Sequence, residues 1–177
     1  MKYKIVNNFL DKSTHKLMYE TCTGEHFPWY FSDSIATGDD SDEYYFTHVL
    51  FLDGKVMSPH FKDFIGPVIL GLLGKDIPLQ TLMRAKMNMF TKRDSNIKHG
   101  LHRDFSKFNS KYTNLLYSVN TCNGHTELKD DTKIASVANQ LLMFDGEIMH
   151  RSISQTDTKQ RINLNININM KIDDIKL

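Results

Sequence analysis

The sequence predicts a mostly β domain: a jelly-roll barrel whose supporting helices gather in a partly helical N-terminal third. Three observations carry that prediction. From Leu79 onward the chain breaks into seven or so short runs separated by turn signals, as in all-β sandwiches and barrels. The last run, Arg161 to Met170, alternates strictly. Ile, Leu or Met holds every even position, and Arg161 followed by asparagines holds the odd ones, which is the mark of a strand with two unlike faces. The helix-start signals all lie before residue 60.

Taken in order, "YKIVNNFL" reads as a short strand. Asp11 or Ser13 can cap a helix running to about Cys22, with Leu17 and Met18 turned inward. "FPWYF" is an aromatic strand or turn. Ser32 to Glu43 is acidic, polar and nearly free of large side chains, a mobile loop. "YYFTHVLFL" is a strand and "DGK" its turn. Ser58-Pro59 starts a second helix over "HFKDFIGPVILGLLG", which Pro67 should kink or divide. Then come the strands "LQTLMRAKMNMF", "YTNLLYSVN", "HTEL", "KIASV", "NQLLMFD", "HRSIS" and the final run. Asn123-Gly124 and Asp145-Gly146 read as two-residue turns. No repeat or linker is visible. The 177 residues are expected to form one domain, with helical support and leading strands in 1–78 and the barrel core in 79–170.

Composition excludes several classes. A net charge of +1 provides no global field toward nucleic acid or membrane, so nucleic acid is a disfavoured partner. "FIGPVILGLLG" is too short to span a bilayer. The N-terminus has no long apolar region ending in a small-residue cleavage site. Cys22 and Cys122 match no zinc or redox spacing, and a reduced, cytoplasmic setting fits them best, although two cysteines can still pair.

The candidate chemistry lies in three places. "GLHRDF" sets His102 and Asp104 two residues apart, on one face of an extended chain. His150 opens a strand after Asp145-Gly146, and Arg161 follows eleven residues later. Two histidines and one carboxylate form a facial triad that leaves three positions of an octahedral iron open. A bidentate 2-oxo acid and dioxygen can fill them. A distal carboxylate on that acid calls for a fork-shaped cation, which arginine supplies better than lysine.

His-x-Asp, a distal His, then Arg on the next strand resembles the iron(II)/2-oxoglutarate-dependent oxygenases. More narrowly, it resembles the prolyl-4-hydroxylase-like branch and the small members common in phage and marine genomes. "HRD" (102–104), "LLYSVNTCNGHTEL" (115–128), "SVANQLLMFDGEIMH" (136–150) and "RINLNI" (161–166) carry the resemblance, which covers roughly 79–170. It implies a double-stranded β-helix with iron(II) on His102, Asp104 and His150, 2-oxoglutarate on Arg161, and no further catalytic residues. It also implies dioxygen and a small-molecule or peptide substrate. The presence of Asp104 points to hydroxylation, since halogenating relatives lack that carboxylate. The odd row of the last strand should then face the cavity at Arg161 and Asn163, with the later asparagines passing to the rim and the even row packing beneath the helices. Tyr117 and Asn88 are further candidates for the cosubstrate pocket, with Arg84 and Lys86 in the same row as Asn88.

Other readings stand beside these. His99 competes with His102 as a ligand, but Gly100 weakens the helix that "HGLH" would need, which ranks His99 beside the site or in solvent. His125 is expected exposed near a turn. Met83, Met87 and Met89 read as core packing. Lys92, Arg93, Lys98, Arg103, Lys107 and Lys111 either attract an anionic substrate or form a solvated face. A cupin-like metal protein without oxygenase activity and a non-catalytic virion or binding module remain as alternatives. Substrate identity and oligomeric state lie beyond the sequence.

Overall fold

The computed structural model describes residues 3–35, 42–73, 79–105 and 111–175. Residues 36–41 of the expected acidic loop, Gly74 of the expected second helix, and Lys107 fall outside them.

The described residues contain eleven strands and two helices. The order is β1 (Tyr3–Asn7), α1 (Lys12–Thr23), β2 (Tyr30–Ser32), β3 (Tyr45–Leu52), β4 (Lys55–Val56), α2 (Phe61–Leu73), β5 (Leu82–Thr91) and β6 (Thr113–Ser118). It continues with β7 (Cys122–Leu128), β8 (Lys133–Ser136), β9 (Gln140–Asp145), β10 (His150–Ile153) and β11 (Gln160–Ile168). Two antiparallel sheets result. The larger runs β1-β9-β6-β11-β5-β3-β2 with β4 paired to β3, and the smaller runs β10-β7-β8. This is the jelly roll that the strand pattern predicts. The larger sheet draws β1 to β4 from the first 78 residues, so the barrel begins earlier in the chain than Leu79.

Local chemistry sets the helix ends. Asp11 caps α1, its carboxylate accepting from the Ser13 and Thr14 amides at 3.0 Å. Met18 and Cys22, four residues apart, turn inward together. Leu17 does not join them. It is 63% exposed, because one residue along a helix turns a side chain about 100° away. Ser58 caps α2 by accepting from the His60 amide at 3.1 Å, and Pro67 sits within a helix that continues to Leu73.

Both helices cover the outer face of the larger sheet. Met18, Cys22, Phe64 and Val68 share one core with Met87, Leu115, Leu141 and the even row of β11, Ile162, Leu164, Ile166 and Ile168. The opposite face looks toward the smaller sheet, and there the odd row of β11 lies. Cross-strand pairing fixes this, since directly opposed residues share a face. Arg161 faces Phe90, Asn163 faces Asn88, Asn165 faces Lys86 and Asn167 faces Arg84 on β5.

One turn expectation fails. Asn123-Gly124 lies inside β7, at an irregularity in its pairing with β8. Gly124 is there for space: a Cβ would meet the Ile153 carbonyl at 2.9 Å and the Arg161 side chain at 3.1 Å. Asp145-Gly146 does turn the chain, but it carries it from one sheet to the other and makes no hairpin between β9 and β10.

Candidate functional site

The segment before residue 105 adds itself to the free edge of β10. Lys98 bridges Ile153 and His102 bridges His150, four steps along one chain against three along the other. The extra residue is a bulge of the kind that re-aims a side chain. It turns both histidines of "HGLH" inward. His99 lies buried and stacked on Phe90 at 5.8 Å, with its amide bonded to the Ser152 carbonyl. His102 and His150 exchange both backbone hydrogen bonds at 2.9 Å, with ring centroids 4.7 Å apart.

Asp104 follows two residues after His102. One nitrogen or oxygen from each of His102, Asp104 and His150 comes together within 4.8 Å, the one such group among the described residues. His99 is not part of it. Each imidazole of the group directs Nδ1 at a backbone carbonyl, Gly100 at 3.0 Å and Ile148 at 3.3 Å. With Nδ1–H donating there, Nε2 carries the free lone pair, the arrangement of a metal-binding histidine. Burial pulls the His150 imidazole down to about 4, against the opposite pull of Asp104, so it is neutral. Burial alone would raise Asp104, but the Arg84 guanidinium and nearby donors outweigh it and hold the carboxyl well below the usual range. A neutral imidazole and an ionised carboxylate are the forms a cation requires.

Asp104 is braced from the larger sheet. Arg84 Nη2 approaches it at 2.8 Å, Asn167 Nδ2 donates at 2.8 Å and Asn165 Nδ2 at 3.3 Å. Asn167 also accepts from Arg84 Nε at 3.0 Å and donates to Asn114 at 2.7 Å. The two later asparagines are therefore not at a rim. Asn167 is fully buried and Asn165 nearly so, because the site extends along β11 beyond Asn163.

Arg161 closes the inner end of the same cavity. It is 1% exposed. Its guanidinium donates to Ser136 at 3.0 Å, to Thr126 at 3.1 Å, to Ser152 and to the Ile153 carbonyl, and it lies 5.5 Å over the Phe90 ring. All these partners are neutral. Burial draws the guanidinium down to about 10, which leaves it charged at neutral pH. Asn163 lines the cavity and accepts from Asn88 at 2.9 Å.

Tyr117 lies elsewhere. It pairs across the sheet with Leu164 and so shares that residue's outer face. Its hydroxyl meets His15 Nδ1 at 2.6 Å and Asn139 at 3.0 Å beneath the helices. A one-residue difference in register exchanges the faces of a strand. Three of the basic residues are also accounted for by carboxylates: Arg93 by Glu43 at 2.7 Å, Lys98 by Glu127 at 3.5 Å and Arg103 by Glu147 at 3.3 Å. His125 is half-buried within β7. Cys22 and Cys122 are both buried and unbridged. The hydroxyls of Thr126, Ser136 and Ser152 around Arg161 were not legible in the sequence.

No protein-family model matches the chain, and no curated protein matches it. Solved structures do. An oxidoreductase of the 2OG-Fe(II) oxygenase family from Burkholderia pseudomallei aligns with a TM-score of 0.65 at 13% identity, over 96% of this chain and 86% of its own. A prolyl-4-hydroxylase from Pseudomonas putida aligns at 0.57 and 12% identity, over 96% and 92%. The epimerase SnoN from nogalamycin biosynthesis, described as non-heme and alpha-ketoglutarate dependent, aligns at 0.63 and 11% identity, over 96% and 77%. The fold is that of the 2-oxoglutarate/iron(II) oxygenases. On this oxygenase fold, the His102–Asp104–His150 group and Arg161 occupy one cavity between the two sheets.

Proposed function

We propose that the protein is an iron(II)- and 2-oxoglutarate-dependent dioxygenase that hydroxylates a small-molecule or peptide substrate, the whole chain acting as one domain. One observation carries the reading. A fully buried guanidinium with only neutral partners shares a cavity with a three-ligand group suited to a metal. Burying an isolated charge is expensive, and such charges are ordinarily paired. A dicarboxylate reaching from the metal group to Arg161 supplies the missing pair. A cupin-like metal protein has no use for Arg161.

Both imidazoles offer Nε2 and Asp104 an ionised oxygen, a set that fits a hard-to-borderline divalent ion with open positions. When bound, iron(II) and 2-oxoglutarate supply the oxidising chemistry: dioxygen is split between succinate and a hydroxyl on the substrate carbon, with loss of carbon dioxide. The chain's own part is placement. Arg161 would hold the distal carboxylate, its guanidinium positioned by Ser136, Thr126 and Ser152. Asn167 and Arg84 keep Asp104 ionised and aimed. Leu116 and Phe144 line the cavity and keep water from its walls.

Anaerobic calorimetry tests this. Iron(II) should bind at about one ion per chain, as a single facial triad implies. In Arg161→Ala, 2-oxoglutarate affinity should fall by about 2–5 kcal/mol, with iron binding nearly intact. Arg161→Lys should recover only part, lacking the fork. Unchanged 2-oxoglutarate affinity in a folded Arg161→Ala would sink the cosubstrate assignment and leave a plain metal-binding jelly roll.

A further inference from the structure

Next to the chamber that ends at Arg161 lies an outer one, and Tyr45, Lys86, His102 and Asp104 line both. The outer chamber is the roomier, about 260 Å³ against 60 Å³, and more polar. Three cations face it: Arg84, Lys86 and Arg103. Arg84 is taken by Asp104 and Arg103 by Glu147. Lys86 pairs with no carboxylate among the described residues. Its ammonium donates to the Tyr45 hydroxyl at 3.0 Å and lies 5.2 Å over that ring. An ammonium has three N–H donors, so two are left unclaimed by the described residues.

The position of Lys86 is fixed by the sheet. It stands on the inner row of β5 between Arg84 and Asn88, directly opposite Asn165 on β11. On both sides of it are buried amide oxygens without a hydrogen-bond partner, Asn165 Oδ1 and Asn88 Oδ1. Leaving such acceptors unmatched is costly, and each asks for an N–H or O–H donor. A cation within the field of Asp104 but in contact with no carboxylate among the described residues, set between two unsatisfied acceptors, describes a particular kind of guest.

We propose that Lys86 is the substrate's anion site, and that the substrate is a compact anion, carboxylate or phosphate, carrying an O–H or N–H donor beside its charge. The anion meets the two free N–H groups of Lys86, and the donor meets Asn165 or Asn88. The carbon to be oxidised then lies over the metal group, since His102 and Asp104 border the same chamber. A neutral peptide segment matches this wall poorly. Calling the guest a substrate rests on the proposed function, while anion binding at Lys86 does not.

The test uses protein labelled with 13C at lysine Cε, the Lys86 signal being assigned by its loss in Lys86→Met. Acetate, glycolate and inorganic phosphate are the probes. In metal-free protein the Lys86 signal should shift saturably with at least one of them, in Arg161→Ala as well as in wild type. Glycolate should bind more tightly than acetate, through its hydroxyl, and comparison with phosphate decides between the two anion sources. In protein loaded anaerobically with manganese(II) and 2-oxoglutarate, paramagnetic broadening of the probe should weaken about tenfold in Lys86→Met, the scale of one charge-assisted hydrogen bond. It should be unchanged in Lys98→Met, whose lysine is exposed and paired with Glu127. A Lys86 signal indifferent to all three probes overturns the proposal. So does a Lys86→Met protein that loses 2-oxoglutarate affinity and keeps probe binding, since Lys86 would then serve the cosubstrate. Failure of manganese or 2-oxoglutarate to bind wild type would count against the oxygenase reading alone, and the metal-free titration would still decide the anion site.

Discussion

On one side of β11, Ile162, Leu164, Ile166 and Ile168 are fully buried among helix side chains. On the other, Arg161, Asn163, Asn165 and Asn167 are no more than 9% exposed, yet their neighbours are hydroxyls, amides and a carboxylate. Burial alone does not separate the two faces. On the dry face each side chain contributes through the area it removes from water, and neighbours of similar volume are interchangeable at modest cost. On the wet face each polar atom has to find a partner, and the value of a residue lies in what it aims. The same backbone therefore serves the core and the site, and substitutions on its two faces should differ in kind.

The largest stability effect should come from the dry face. Leu164→Ala should destabilise by about 2–5 kcal/mol in denaturant melts, with 2-oxoglutarate affinity of the folded fraction unchanged. A matching loss of affinity would show that the faces are not separable. Next is Asn167→Ala on the wet face. Removing a brace from Asp104 should weaken iron(II) binding about 10–100-fold, read by anaerobic titration, while leaving 2-oxoglutarate binding at Arg161 little altered once iron is saturating. Gly124→Ala should push against Arg161 and the Ile153 carbonyl, costing about 1–3 kcal/mol of stability and weakening 2-oxoglutarate but not iron. Equal loss of both ligands would mean that the strain spreads beyond the inner end. The smallest effect is expected from Tyr117→Phe. Losing the hydroxyl bonds to His15 and Asn139 should cost about 1 kcal/mol and leave both ligands untouched. A cosubstrate defect there would return Tyr117 to the pocket.

What could be read from the sequence was whatever is written locally. Alternation in "RINLNININM" identifies two faces, and His102-x-Asp104 places two donors on one side of an extended segment, without reference to any distant residue. The misreadings concern distant neighbours. Tyr117 faces the core because β6 opposes it to Leu164, a register that β6 alone does not reveal. Asn123-Gly124 has the composition of a tight turn, but its glycine answers to Arg161, 37 positions away in the chain. Asn165 and Asn167 were assigned to the rim because nothing near them in the sequence says that Asp104 would come to rest on them. Leu17 differs: its outward turn follows from helix geometry and the four-residue Met18–Cys22 spacing, both of which are local.

The bulge between Lys98 and His102 has a consequence for how this chain tolerates insertions and deletions. In β11 the loss of a single residue would exchange the faces from that point on, delivering isoleucines to the cavity and asparagines to the helices. Between Lys98 and His102 the ladder already carries one residue more than its partner. A chain shortened by Leu101 would run as a regular pairing and still bring an imidazole opposite His150. The segment that carries His102 is thus permissive in length, while the strand with the plainest sequence pattern has no slack at all.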